Sequence, residues 1–186
     1  HDLSSLELLG SVGEPINPEA WQWYYKNIGR EKCPIVDTWW QTETGGILIT
    51  PLPGAFPIKP GSSTQPVPGF NVTVLDTNGK PVGPKTTGLV TVKLPLPPGT
   101  LQTLWQADTR FQESYLKVFP GYYFTSDGGY IDEDGYVFIM GRVDDVINVA
   151  GHRLSTGEME EVVSTHRDIA ECAVIGVHDE LKGQVP

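Results

Sequence analysis

Residues 51–69, "PLPGAFPIKPGSSTQPVPG", carry prolines at positions 51, 53, 57, 60, 66 and 68. Proline lacks a backbone N–H and fixes φ, so no regular helix or central strand can run through this stretch. It is predicted to be an ordered crossing or a linker, and it divides the chain into two segments of different texture. Upstream, Asn17 precedes Pro18, "EAWQWYYKNI" and Gly29, which predicts a helix over about 18–28 with Asn as N-cap, Pro at N1 and Gly past the end. "CPIVDTWW" then reads as a short buried strand, the two together forming part of an α/β layer.

Downstream the pattern turns to alternation. "FNVTVLD" and "PVGPKTTGLVTVKL" predict two strands joined as a hairpin through a tight turn at Asn78-Gly79. "ADTRFQESYLKVF" places Phe111, Tyr115, Leu116 and Phe119 at helical spacing, closed by Pro120-Gly121. "GYYFTSDGGYIDEDGYVFIMGR" reads as strand, turn, strand, so residues 51–143 are expected to form a small β-barrel or curled sheet. "GRVDDVINVAGHRLS" is a further hairpin, "STGE" has capping-box spacing before the helix "GEMEEVVSTH", and "AECAVIGV" is expected to be a closing strand. The fold class is therefore α/β, mixed with α+β. Residues 1–50 end an α/β layer, 51–143 make a β subdomain, and 144–186 begin a small α+β domain.

Composition limits the functional classes. A formal charge of -10, from 13 Lys plus Arg against 23 Asp plus Glu, argues against a broad electrostatic hold on nucleic acid or an anionic membrane. No run approaches the roughly 18–20 apolar residues of a membrane span, and the N-terminus lacks the basic and apolar regions of an export signal. Cys33 and Cys172 lie far apart in strand-like contexts, which favours buried free thiols in a reducing compartment. A first residue other than Met and an abrupt end at "LKGQVP" suggest a piece of something longer.

"SVGEP" and "DTWWQTETGG" each follow a short apolar run and turn through glycine, where an open α/β sheet places its ligand loops. An indole face beside backbone carbonyls suits a purine, Thr42 could donate to a phosphate, and Glu43 could bind Mg2+. The same residues serve equally as core aromatics and a solvated turn. "TSDGG" and "GR" put Asp127 and Arg142 at the ends of neighbouring strands, a pair able to clasp a ribose diol or simply to form a salt bridge. His152 fits a structural role, no His or Cys has a second metal ligand at usable spacing, and "DEDG" is a turn, not a calcium loop.

Together "SVGEPINPEAW", "PIVDTWWQTETGG", "TPLPG", "KPGS", "FPGYYFTSDGGYIDEDGY" and "GRVDDVINVAGHRLST" resemble the acetyl-CoA synthetase branch of the acyl-adenylate-forming enzymes, collinearly and over nearly the whole chain. The resemblance implies two steps: a carboxylate attacks the α-phosphate of ATP, giving an acyl-adenylate and pyrophosphate, and the CoA thiol then displaces AMP. It implies that Gly13, Glu14 and Pro15 line the adenine and ribose region, with Asp37, Thr38 and Trp39 as the other wall. Thr42 would contact the α-phosphate, Glu43 the magnesium, and Asp127 and Arg142 the ribose hydroxyls. Arg153 would reach phosphate, and Ala150 and Gly151 would lie near the CoA arm. Trp40 would floor the acyl pocket with Val12 on its wall, limiting the acid to acetate or propionate, and Asp144 would be the hinge.

Two positions depart from the family pattern. Ser126 stands where a glycine is usual before the ribose Asp, and Ala150 where a serine is usual, a change at home among propionate enzymes. The phosphate-binding loop is expected before residue 1, and the adenylating lysine after residue 186, so this piece alone is expected to lack ligase activity. The resemblance implies a cytoplasmic or mitochondrial-matrix protein acting on small molecules, and leaves the oligomeric state open. The alternatives are a propionyl-CoA synthetase, a non-catalytic nucleotide-binding or interaction module, and a domain that loads a carrier protein.

Overall fold

The computed structural model describes residues 1–143, 146–150, 152–169 and 171–186, without the side chains of residues 148, 152, 153, 158 and 161. Three separate sheets account for its strands. The first contains β1 (Leu9–Val12), β2 (Ile35–Trp40) and β3 (Ile47–Ile49), with β2 central, parallel to β1 and antiparallel to β3. The parallel crossover is made by α1 (Pro18–Asn27), as the sequence predicts: Asn17 Oδ1 accepts from the N–H of Glu19 at 2.8 Å, and Pro18 fills the first turn. α1 buries Trp21 with Leu9, Cys33 and Ile35.

The second sheet runs β4 (Val72–Leu75), β5 (Gly88–Lys93), β6 (Tyr122–Ile131) and β7 (Val137–Arg142), all antiparallel neighbours. Val72, Val90, Val92, Tyr123 and Val137 pack with Leu48 and Ile49 of β3 in one buried cluster. Burying a side chain of this kind contributes about 1.5–3 kcal/mol, and here it fastens β3, and through it β2, onto the second sheet. The β-barrel expected over 51–143 is not closed. Among the described residues its sheet has four strands, with β4 and β7 outermost and only a single bridge from Thr64 on β7, fewer than the five of even a partly open small barrel.

Two local expectations are corrected. The β4–β5 connection is no two-residue hairpin but spans residues 76–87. Asp76 Oδ1 accepts from the N–H groups of Asn78 and Lys80 to make the expected turn, Pro81 bridges Leu75 and the Val82 N–H donates to the Val74 carbonyl at 3.0 Å, and β5 begins only at Gly88. The helix near residue 110 is α2 (Asp108–Phe111), which widens into a single π turn over Gln112–Leu116. That turn aims Tyr115 at the sheet, its ring stacked 5.6 Å from Tyr123.

The third sheet has the order β10 (Val177–Asp179), β11 (Gly183–Val185), β8 (Val146–Val149), β9 (His152–Ser155), with α3 (Thr156–Ser164) following β9. The hairpin and helix expected there are present. Of the expected strand "AECAVIGV", Ala170 lies outside the described residues and residues 171–176 are not strand; Ile175 and Val177 stay exposed. Both cysteines are free, but Cys172 is only half-buried, while Cys33 is buried and donates to the Leu6 carbonyl at 3.0 Å. Among the described residues no helix is long and apolar enough to cross a membrane.

Candidate active site

The register of the parallel pair sets Ser11 beside Asp37 and Val12 beside Thr38. The carboxyl ends of β1 and β2 therefore finish side by side, and the loops beginning at Gly13 and Gln41 leave the same edge of the sheet, where open α/β sheets bind ligands. Gly13 makes its turn at φ 109°. Glu14 and Pro15 are exposed beyond it.

Strand alternation separates the two indoles. Trp39 packs against the Leu48–Tyr123 cluster, whereas Trp40 is 48% exposed. Asp37, two residues before Trp39, is buried, and burial pushes its carboxyl up to about 6, offset only in part by the Ser63 hydroxyl 3.5 Å away. The Thr38 hydroxyl lies 3.0 Å from that of Thr50.

The loop after β2 is held from inside and outside. Thr42–Thr44 form a 3-10 turn, and the buried Thr44 hydroxyl accepts from the Gln41 N–H at 3.1 Å and reaches the Gly46 carbonyl at 2.9 Å. Gly45 has φ 65°, and a Cβ there would meet the Gly99 carbonyl oxygen at 2.3 Å. Leu101 N–H donates to the Glu43 carbonyl at 2.7 Å. Thr42 is left exposed and Glu43 half-buried at the tip.

Gln41 then carries the loop across to β6. Its Nε2 donates to the Thr125 carbonyl and to Asp127 Oδ2, both at 2.8 Å, while its Oε1 accepts from Tyr123 Oη at 2.9 Å. Two acceptors on one side and a hydroxyl donor on the other fix which end of the amide is which. Asp127 is aimed by a bulge: pairing on β5 skips from Val90–Asp127 to Thr91–Phe124, with Ser126 at φ 62°. On the opposite side Asp127 stands in register with Arg142, whose Nη1 lies 3.4 Å from the same Thr125 carbonyl. Asp127 and Arg142, 15 positions apart in sequence, are thus brought together as expected.

Tyr115 Oη donates to Glu43 Oε1 at 2.9 Å. Burial, and then the Glu43 carboxylate it serves, push the Tyr115 phenol up, and burial does the same for Tyr123, so both remain hydrogen-bond donors at neutral pH. Among the described residues no group of three or more His, Cys, Asp or Glu converges as a metal cage. Glu43, half-buried at the loop tip, nevertheless suits Mg2+, which commonly binds through one or two carboxylates together with substrate phosphates.

The remaining sequence candidates lie on the third sheet or beyond the description. Ala150, at φ 49°, turns between β8 and β9 and donates its N–H to the Lys182 carbonyl at 2.8 Å. Arg153 pairs through its backbone with Asn148, and its side chain lies outside the described residues, as do Asp144 and Gly151 entirely. Sequence reasoning passed over Gln41, Tyr115, Tyr123, Thr125 and Ser63. Tyr123, Thr125 and Asp127 share one face by period-two alternation, a signal that points from the ribose carboxylate candidate back to its neighbours.

A family model described as AMP-binding enzyme matches residues 1–101, and one described as AMP-binding enzyme C-terminal domain matches residues 158–186. The chain is 57% identical over 183 residues to an acetyl-coenzyme A synthetase of Chlorobaculum tepidum, covering 98% of this chain and 28% of that relative. It is 57% identical over 180 residues to that of Magnetococcus marinus, covering 97% and 28%, and 55% identical over 184 residues to that of Caulobacter vibrioides, covering 99% and 28%. The chain thus spans 28% of the length of these curated relatives.

Proposed function

The chain belongs to the AMP-binding enzymes, and we propose that the protein containing it is an ATP-dependent short-chain acyl-CoA synthetase that activates acetate as acetyl-adenylate and transfers the acetyl group to CoA, releasing AMP and pyrophosphate. The observation that carries this reading is the Gln41 bridge, which brings the 37–43 loop onto the Asp127–Arg142 pair. Stacking surface, phosphate-facing loop and diol-binding pair then belong to one site.

In this reading Gly13, Glu14 and Pro15 face Asp37, Thr38 and Trp39 across the adenine, with Asp37 accepting from its exocyclic amine. Asp127 and Arg142 hold the ribose hydroxyls through charge-assisted hydrogen bonds. Thr42 donates to the α-phosphate, and Glu43 holds Mg2+, which when bound offsets charge developing on phosphorus. Arg153 adds a cation at the phosphates, Asp144 is the hinge, and Ala150 and Gly151 lie along the CoA path.

Trp40, with Val12 beside it, closes the acid pocket after one or two carbons. We place the boundaries of the large-domain layer, the β subdomain and the C-terminal segment at 50/51 and 143/144, and the protein in the cytoplasm, where its two free thiols stay reduced.

Pyrophosphate–ATP isotope exchange on the full-length protein tests the function. Exchange that depends on acetate and fades with longer acids supports the reading. A preference for propionate would move the assignment to a propionyl-CoA synthetase, and no exchange with any short acid would overturn it.

A further inference from the structure

The strand β6 and the π turn contribute no residue to the roles above except Asp127, yet Tyr115 of the π turn holds Glu43 directly and Tyr123 of β6 holds Asp127 through Gln41. Tyr123 Oη donates to Gln41 Oε1, and Gln41 Nε2 donates to Asp127 Oδ2. Tyr115 Oη donates to Glu43 Oε1. The two phenol rings are stacked with only 1° between their planes, so neither hydroxyl can swing without disturbing the other ring. Glu43 and Gln41 are two residues apart on a loop whose backbone is pinned by Thr44 and Leu101.

We propose that Gln41 and Tyr115 are positioning residues, a paired brace in which Gln41, steadied by Tyr123, orients Asp127 toward the ribose diol and Tyr115 orients Glu43 toward the metal-bound phosphates. The inference rests on the proposed function for the identity of the ligands, but the brace itself is read from the side chains. A carboxylate offers about four acceptor sites. A hydrogen bond from Gln41 or Tyr115 takes one of these and fixes the carboxylate's plane, so that a diol or a cation meets an oriented group. Without the brace, each carboxylate would have to be ordered when ligand arrives, and that entropic cost would appear as weaker binding. The two halves of the brace serve different parts of the nucleotide, so their loss should be separable.

The test uses the full-length protein with Gln41→Met and Tyr115→Phe, each nearly isosteric. Calorimetry with AMP and with 2′,3′-dideoxy-AMP reads the ribose half. Gln41→Met should weaken AMP about tenfold, the effect of one charge-assisted hydrogen bond, and leave dideoxy-AMP unchanged. Calorimetric ATP binding at graded Mg2+ reads the other half: Tyr115→Phe should raise the Mg2+ concentration for half-maximal ATP affinity several-fold while AMP binding stays at the wild-type value. Tyr123→Phe, which keeps the buried ring, should reproduce the Gln41→Met pattern at smaller size and carries the test if Gln41→Met does not fold. Equal weakening of AMP and dideoxy-AMP, or an unmoved Mg2+ dependence in Tyr115→Phe, would overturn the brace. If the wild-type protein itself neither binds AMP nor shows acid-dependent exchange, it is the proposed function that fails.

Discussion

The Ser63 hydroxyl stands 3.5 Å from Asp37 Oδ2, at the outer limit of a hydrogen bond, and Asp37 is 5% exposed. A carboxylate buried with so little compensation is costly when ionised. An adenine amine placed against it would supply what the protein alone does not.

The pH dependence follows from that burial. Asp37 protonates at about 6 in the folded protein against 3.8 when unfolded. Between those values the folded state binds the extra proton, so stability falls as pH rises, with the full penalty present above about 6. Each pH unit in this window is worth about 1.4 kcal/mol, about 2–3 kcal/mol in all. Melting temperatures of wild type and Asp37→Asn should therefore converge near pH 3.5 and separate toward pH 7 in favour of Asn; a constant difference would contradict this.

Trp40 offers a size test of the acid pocket. Because it is 48% exposed, removing its indole should cost this chain little stability. In the full-length protein, Trp40→Gly should allow pyrophosphate exchange with butyrate and longer acids and reduce the preference for acetate. An unchanged chain-length profile would remove Trp40 from the pocket.

Ser126 occupies a glycine conformation, φ 62°, in the bulge before Asp127. A side chain there costs about 1–2 kcal/mol. Ser126→Gly should relieve most of it, less the added freedom of the unfolded chain, for a net gain of about 0.5–1 kcal/mol. Thermal unfolding reads the sign directly.

Gly45 admits no side chain. At φ 65°, a Cβ would lie 2.3 Å from the Gly99 carbonyl oxygen, a backbone atom that cannot rotate away. Gly45→Ala should destabilise by about 1–3 kcal/mol and weaken nucleotide binding by displacing Thr42 and Glu43, whereas Gly46→Ala, with nothing near its Cβ, should be milder. Denaturant midpoints of the two variants make the comparison.

Much of this architecture is legible locally. Asn17-Pro18 specifies the start of α1 because an N-cap and an N1 proline act within a single turn. β4 and β5 follow from alternation, β2 from a short apolar run after α1, and the Asp76–Lys80 turn from an Asx hydrogen bond that spans four residues. The failures are non-local. "AECAVIGV" has strand composition, but a strand needs a partner to pair with, and the chain supplies one, β11, only from Val177. The hydrophobic spacing near residue 110 gives helical turns but not the π turn that aims Tyr115.

The same division runs through the site. Sequence alone determined its chemical inventory: the glycine turn after β1, the adjacent indoles, the Thr42-Glu43 step and the Asp127–Arg142 pair, because their residue types and local order are written in the chain. Only the tertiary structure decided that Gln41 would hold Asp127 from 86 residues away and Tyr115 hold Glu43 from 72. Those hydrogen bonds exist because β3 buries Leu48 and Ile49 against Tyr123 and its neighbours, and long-range burial of that kind leaves no periodic trace in the sequence.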